Sequence, residues 1–347
     1  MRTLEQISRD TGVSVSTISR VLHGREDVSA PTRERVQNAL KRARYSLLSK
    51  PTRRGRPALR QKLTKKIAVL CKSHAEVRRN PFAAPILTAA LEAGAPNLAG
   101  GAQMIGVDWP DEQTGLPDAL ISGGMDAAIA ICCMRDLSAV AAKLPLVTVD
   151  WYAAGQGCDS VVPDYRRGAF DAVSALLASG HRRIALTSSR RGAGPGEGFE
   201  AELYDGARRA FEMADAPVWE HLVAGYAATP EDGYALAKRL LSLPAEQRPT
   251  ALFGSDHGML GALRAAHDLN VRVPEQLALI GVDDIELGRY SVPRLSTVRV
   301  DKEALARTAV DRALWRIANR TAPVCRLVID CQFIQRDSCG TRKESRQ

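Results

Sequence analysis

From Ile67 onward the chain alternates between two kinds of apolar spacing. Short, near-continuous apolar runs ("KIAVLC", "QMIGV", "AAIAICC", "PLVTVD", "RRIALTSS", "HLVAG", "TALFGSD" and "LALIGVDD") are each bounded by Gly, Pro or charge. Strands buried on both faces look like this, and parallel sheet buries both faces. Between the runs, apolar residues recur every three or four positions, as in "YRRGAFDAVSALLASGH", "GARRAFEMA" and "DHGMLGALRAAHDL". That is the spacing of one helix face. Alternating strand and helix predict an α/β body of two doubly wound parallel-sheet subdomains.

The first fifty residues have only the helical spacing, so the fold class is an all-α head on an α/β body. "TLEQISRDTGVSVSTISRVLHG" predicts two short helices. Thr3 caps the first, and Gly12 takes the tight turn. Ser14 caps the second, along which Val15, Ile18, Val21 and Leu22 keep helical spacing. A third helix follows in "VSAPTRERVQNALKRARY", with Ser29 as cap and Val36, Ala39 and Leu40 as its apolar face. Helix, glycine turn, helix is the helix-turn-helix arrangement, whose second helix enters the DNA major groove. Val15, Ser16 and Arg20 point away from the apolar face. Val15 suits a thymine methyl, Ser16 can donate or accept, and Arg20 can pair bidentately with guanine. Thr3, Ser14, Thr17, Ser19 and Arg33 suit phosphates, which position without reading sequence. A small helical bundle with solvated polar faces has the same pattern.

Charge leans toward the first of these readings without closing the second. The net charge is +9, but residues 1–66 carry 17 Lys+Arg against 5 Asp+Glu, which is 17 − 5 = +12, and leave 9 − 12 = −3 for the rest. A basic head on a mildly acidic body fits a polyanion partner. The seven Cys are scattered without a CxxC pair, which fits reduced, mostly buried thiols better than a disulfide frame or zinc site. "MRTLEQISRD" has no apolar signal core, and no run of about 18 apolar residues occurs. A cytoplasmic protein without a membrane partner is therefore expected. No GxGxxG after a strand, GxSxG, HExxH or Walker loop is present, so neither enzymatic activity nor a cofactor or metal is expected.

"TLEQISRDTGVSVSTISRVLHGREDVSAPTRERV" resembles the N-terminal domain of the LacI/GalR (lactose-repressor/galactose-repressor) family, with His23 where the family usually has Asn. "VVPDYRRGAFDAVSALLASGHRRIAL", the run from "FGSDHGMLGAL" to "ALARTAVDRAL", and "NPF" at Asn80–Phe82 resemble that family's effector-binding body, which is similar to periplasmic sugar-binding proteins. The match is continuous from about Val161 to Ala322 and weak from about Cys71 to Ala142. The resemblance implies a dimeric, ligand-responsive regulator, expected to repress, on a palindromic double-stranded DNA operator. It implies a head over 1–48 and a basic linker over 49–66. One subdomain would span 67–163 plus 292–323, the other 164–291 plus 324–340, with a tail over 341–347. The rival reading is a small-molecule binding protein with no role on DNA.

Several strands end in polar residues: Asp150, then Ser255 and Asp256, then Asp283 and Asp284. In doubly wound sheets the ligand lies beyond the carboxyl ends of the strands, and carboxylates there accept hydroxyl hydrogens. By position in the family, Asp150, Arg208 and Asp283 fall on effector-contacting sites, as do Asn80 and Phe82. Ser255 stands where many sugar-responsive members have Asn. Trp151 and Tyr226 could stack on a ring or simply pack. A neutral sugar is the expected effector. Lys72, Arg78 and Arg79 in "CKSHAEVRRNPF" keep an anionic sugar as the alternative.

The linker "SKPTRRGRPALRQKLTKK" is basic throughout and holds no acid. The family places a hinge helix here, with a leucine wedged into the minor groove; Leu59 is at that position. A proline inside a helix costs about 3 kcal/mol and a glycine about 1 kcal/mol, so Pro51, Gly55 and Pro57 oppose two full turns. "RGRP" resembles the core of an AT-hook, whose arginines, here Arg54 and Arg56, reach along a narrow A·T minor groove. A linker that meets only phosphates is the alternative.

Overall fold

The computed structural model describes residues 4–22, 28–42, 65–94, 102–133, 135–153, 155–187 and 198–340. They fall into two compact units, Met1–Lys62 and Leu63–Gln347.

The first unit consists of α1 (Leu4–Thr11), α2 (Val15–Leu22) and α3 (Ala30–Arg42). Ile7, Val13, Ile18, Val21, Val28, Val36 and Leu40 bury one side of each helix in a common core. The α1–α2 turn holds its shape through side chains as well as backbone. Ser8 Oγ donates to Val13 O at 2.7 Å, Thr11 Oγ1 donates to Ile7 O at 2.7 Å, and Gly12 takes φ +65°. Ser14 Oγ accepts from Thr17 N at 3.2 Å and so caps α2.

The second unit has two parallel-sheet layers. The first layer has strand order β10-β5-β4-β3-β1-β2 and the second β11-β9-β8-β7-β6. The first-layer strands are β1 (Lys65–Cys71), β2 (Ala102–Asp108), β3 (Ala127–Ile131), β4 (Leu146–Val149), β5 (Asp159–Pro163) and β10 (Arg326–Ile329). The second-layer strands are β6 (Ile184–Leu186), β7 (Ala251–Phe253), β8 (Ala278–Asp283), β9 (Ser296–Arg299) and β11 (Gln332–Ile334), the last antiparallel to β9. The inner strands are buried over their whole length: β3, β5 and β8 have no exposed residue. Helices cover the faces. In the first layer α4 (His74–Arg79) and α5 (Ala83–Ala93) follow β1, the short α6 (Asp118–Ser122) and α7 (Ser138–Ala141) follow β2 and β3, and α13 (Lys302–Ala318) packs on α5, β3, β4 and β5. In the second layer α8 (Tyr165–Ala178) packs on α9 (Phe199–Met213) and touches β9 and β11. α10 (Pro230–Leu241) packs on α11 (Asp256–Asp268), and α12 (Glu286–Tyr290) follows β8.

The chain crosses between layers three times. The first crossing lies at Pro163, near the expected place. The returns expected near Val292 and Pro323 come later. β9 pairs with β8, so the second layer keeps the chain through Arg299; β10 pairs with β5, so the first layer keeps it through Ile329. Burial explains both shifts. Ser296, Thr297 and Val298 are fully buried and extend the second core, whereas β10 alternates exposed and half-buried, as an edge strand does. The run "HLVAG" is also no strand. Glu220–Leu222 forms a 3-10 turn, and only Val223 bridges to Leu186, because Leu222 is the one residue of that turn with a core to enter.

Candidate ligand cleft and nucleic-acid interface

At the carboxyl ends of β4 and β8 the two layers face each other. Asp150 follows β4 with φ +60° and Asp283 ends β8 with φ +112°. Both are buried, at 9% and 8% exposure. Asp150 is close enough to raise Asp283, but loss of solvent is the larger cause of both shifts. Burial pushes Asp150 from 3.8 to about 7, against the Tyr165 hydroxyl and Lys302, which pull it down. Burial, then the Asp256 charge, pushes Asp283 well above its usual range. Tyr165 Oη donates to Asp150 Oδ1 at 2.8 Å. One ammonium serves the whole set. Lys302, at the start of α13, donates to the Asp283 carbonyl and lies 5.3 Å from the Phe82 ring centre. An aromatic wall closes one side: Tyr165 and Phe199 are 5.8 Å apart and Phe199 meets Tyr226 edge-on at 5.0 Å. Buried acceptors beside ring faces suit a ligand that offers hydroxyls on its rim and C–H on its faces.

The expected site residues divide. Asp150, Asp283, Phe82 and Tyr226 come together here. Asp256 is adjacent but turned to internal work: its oxygens accept from Thr297 Oγ1 at 2.6 Å and Ile285 N at 2.8 Å. It fits there because residue 281 is glycine; a Cβ would sit 1.8 Å from Asp256 Oδ1. Ser255 Oγ caps α11, accepting from Gly258 N at 3.0 Å and donating to Ala227 O. Asn80 is exposed, and its Oδ1 accepts from Phe82 N and Ala83 N, which starts α5. Trp151 packs against the apolar core of the first layer. Arg208 does not reach the cleft. It is exposed on α9 and pairs with Glu212 one turn on, because Leu203, Ala207, Ala210 and Phe211 take the buried face of that helix. Lys72 pairs with Asp111 at 2.7 Å, while Arg78 and Arg79 are exposed on α4. Tyr165, Phe199 and Lys302 went unnoticed in the sequence. Each lies at the first turn of a helix that follows a loop or crossing, and that position was the available signal.

Among the described residues no His/Cys/Asp/Glu cluster could hold a metal, and no helix is long and apolar enough to cross a membrane. The cysteines are free, with Cys71, Cys133, Cys158, Cys331 and Cys339 buried.

In the first unit Ser16 and Arg20 are exposed on α2 and Val15 is half-buried. Ser14 Oγ, besides capping, lies 2.9 Å from both Ser16 Oγ and Thr17 Oγ1. Arg33 reaches Val28 O at 3.4 Å from the first turn of α3. Thr3, the Ser19 side chain, Arg54, Arg56 and Leu59 lie outside the described residues.

Residues 3–46 match the family of bacterial regulatory proteins of the lacI type, and residues 173–339 match the periplasmic binding protein-like domain. The HTH-type transcriptional repressor PurR of Escherichia coli O139:H28 is 29% identical, over 97% of each chain. The transcriptional regulator CelR, solved in complex with cellobiose, is 26% identical with a TM-score of 0.67, over 97% of this chain and 100% of that one. A LacI family transcriptional regulator from Enterococcus faecium, solved with bound ribose, shares the fold at 22% identity and a TM-score of 0.67, over 80% of this chain and 100% of that one. Head, body and near-complete alignment agree: the chain joins a LacI-family DNA-binding head to a periplasmic-binding-protein-like body, the arrangement of an effector-responsive transcription regulator.

Proposed function

We propose that this protein is a repressor that binds a near-palindromic operator as a homodimer in the bacterial cytoplasm and responds to a neutral sugar. The observation that carries the sugar is the buried, opposed pair Asp150 and Asp283 beside Tyr165, Phe199 and Tyr226. Each carboxyl accepts a hydroxyl hydrogen, and each such bond contributes about 0.5–1.5 kcal/mol. Lys302 donates to a ring or hydroxyl oxygen. That similar regulators were solved with cellobiose and ribose supports the class. Arg78 and Arg79 are exposed on α4 and are not needed for this ligand.

On DNA, Val15, Ser16 and Arg20 read bases, and Thr3, Ser14, Thr17, Ser19 and Arg33 hold phosphates. Arg54 and Arg56 enter the minor groove at the dyad beside Leu59. Exposed Leu287, Tyr290 and Val292 supply apolar surface for a second copy. The protein is not an enzyme. Calorimetry of the full chain against neutral and acidic sugars tests the ligand class. Binding of neutral sugars, lost in Asp283→Ala, supports it; binding of acidic sugars alone, lost in Arg78→Ala, refutes it. For the head, Arg20→Ala relaxes one base pair per half-site and costs about 1–3 kcal/mol, read by titration against single-base operator variants.

A further inference from the structure

Among the described residues, three side-chain polar contacts join the two layers. Two lie in the cleft: Tyr165 to Asp150, and Lys302 to the Asp283 carbonyl. The third lies at its edge, where Glu202 and Arg326 line the same cavity as Asp150, Tyr165 and Phe199. Arg326 opens β10, on the edge of the first layer, and its guanidinium pairs with Glu202 in the first turn of α9, which belongs to the second layer. Arg326 also stacks on Tyr152, 4.8 Å from the ring centre, and Tyr152 follows β4 in the first layer. The arginine is thus held by its own layer and reaches across to the other. The Glu202 side chain is 12% exposed and that of Arg326 32%. A carboxylate so far from water loses much when its one cation withdraws. The pair lies three residues before the last crossing, roughly 10 Å along the strand. Rotation of the layers about the crossings therefore changes its separation.

We propose that Arg326–Glu202 is a latch between the layers that sets how often the cleft opens. A ligand moves an equilibrium only by its differential affinity for the two states, and its apparent affinity scales with the fraction of chains competent to bind. The latch fixes that fraction in advance. The effector consequence rests on the proposed reading of the cleft; the latch itself does not.

The protein carries its own reporter. Cys132 follows β3 at the base of the cleft, half-buried, and senses the charges of both Asp150 and Asp283. Cys325 is exposed, and Cys158 is buried in the core of the first layer. The full chain is pulsed with N-ethylmaleimide and each cysteine followed by peptide mass spectrometry. Glu202→Gln and Arg326→Gln are each expected to raise the Cys132 rate on the order of tenfold. The double variant should add nothing, and the exchange Glu202→Arg with Arg326→Glu should return the rate toward that of the parent. Cys325 should react at once in every variant and Cys158 should stay protected. Unchanged Cys132 labelling, or additive effects in the double variant, overturns the latch. Should Arg326→Gln expose Cys158, Glu202→Gln carries the test, since it leaves Arg326 stacked on Tyr152. A working latch in a protein that binds no sugar would refute the effector reading alone.

Discussion

Asp283 and Asp284 follow one another at the end of β8, and their surroundings drive them in opposite directions. Asp283 has burial and two further carboxyls against it and is pushed up. Asp284 is buried too, but Arg336, Arg299 and Arg289 donate to it and hold it at about 2. The first layer repeats the contrast. Asp150 rises to about 7 in the cleft, whereas Asp159 is fully buried and held down by Arg316, Arg312 and the Cys325 amide. Asp159 takes Arg312 Nε at 2.6 Å and Arg316 Nε at 2.9 Å, which ties α13 and the approach to β10 onto β5. Asp284 takes Arg299 at 2.8 Å and Arg289 at 3.0 Å, which ties α12 and β9 to the end of β8. One region satisfies its acids and becomes rigid. The other leaves its acids without a basic partner of that kind, at the place where the proposed hydroxyl-bearing ligand would meet them.

The contrast breaks most visibly at the braced acids. Asp284→Ala leaves Arg336, whose side chain is 11% exposed, without its partner. The expected loss is about 3–5 kcal/mol, read by urea denaturation. Stability resting on Asp284 is present above pH 4 and is lost as pH falls toward 2, because only the folded chain resists protonation.

At Asp150 the sign reverses. Below pH 4 the folded and unfolded chains both hold the proton; between 4 and 7 only the folded one does. Stability therefore falls as pH rises through that window and levels off above it. Asp150→Asn keeps the acceptor for Tyr165 and removes the charge. It should stabilise by about 1–3 kcal/mol at pH 8 and by almost nothing at pH 4, with denaturation at both pH values as the measurement. The same variant should bind neutral sugars more weakly, since an amide accepts a hydroxyl hydrogen less strongly than a carboxylate does.

The smallest effect is expected at Arg208. Its pair with Glu212 is an exposed contact across one helical turn, so Arg208→Ala should cost below about 0.5 kcal/mol. Effector binding by calorimetry should not change. A large loss of binding would return Arg208 to the cleft.

Much of the fold was legible because buried parallel strands and helix faces leave strong local patterns. The convergence of Asp150 and Asp283 was legible because a polar residue ending an apolar strand stands out at the carboxyl edge of such a sheet. Arg208 was misplaced although the correction lay in the sequence: Leu203, Ala207, Ala210 and Phe211 share one helical face, and Glu212 stands four residues on. The partnership of Asp284 with Arg336 spans 52 residues and that of Glu202 with Arg326 spans 124. No local spacing encodes such distances; only closure of the sheets brings these groups together. The expected returns between layers failed for a related reason. Which sheet a short strand joins is decided by the core available to it, as with Ser296–Arg299.

The backbone at the two cleft carboxyls limits how this protein can diversify. Asp150 and Asp283 both have positive φ, a conformation that Asp, Asn and Gly tolerate and β-branched or bulky residues resist. In a saturation library screened for new effectors, these two positions should return almost nothing beyond that trio. New specificities would have to arise at Phe82, Tyr165, Phe199 and Tyr226, where the backbone sets no such limit. On the proposed reading of the cleft, its chemistry toward hydroxyls is thus fixed by chain geometry, while its shape selectivity stays open to change.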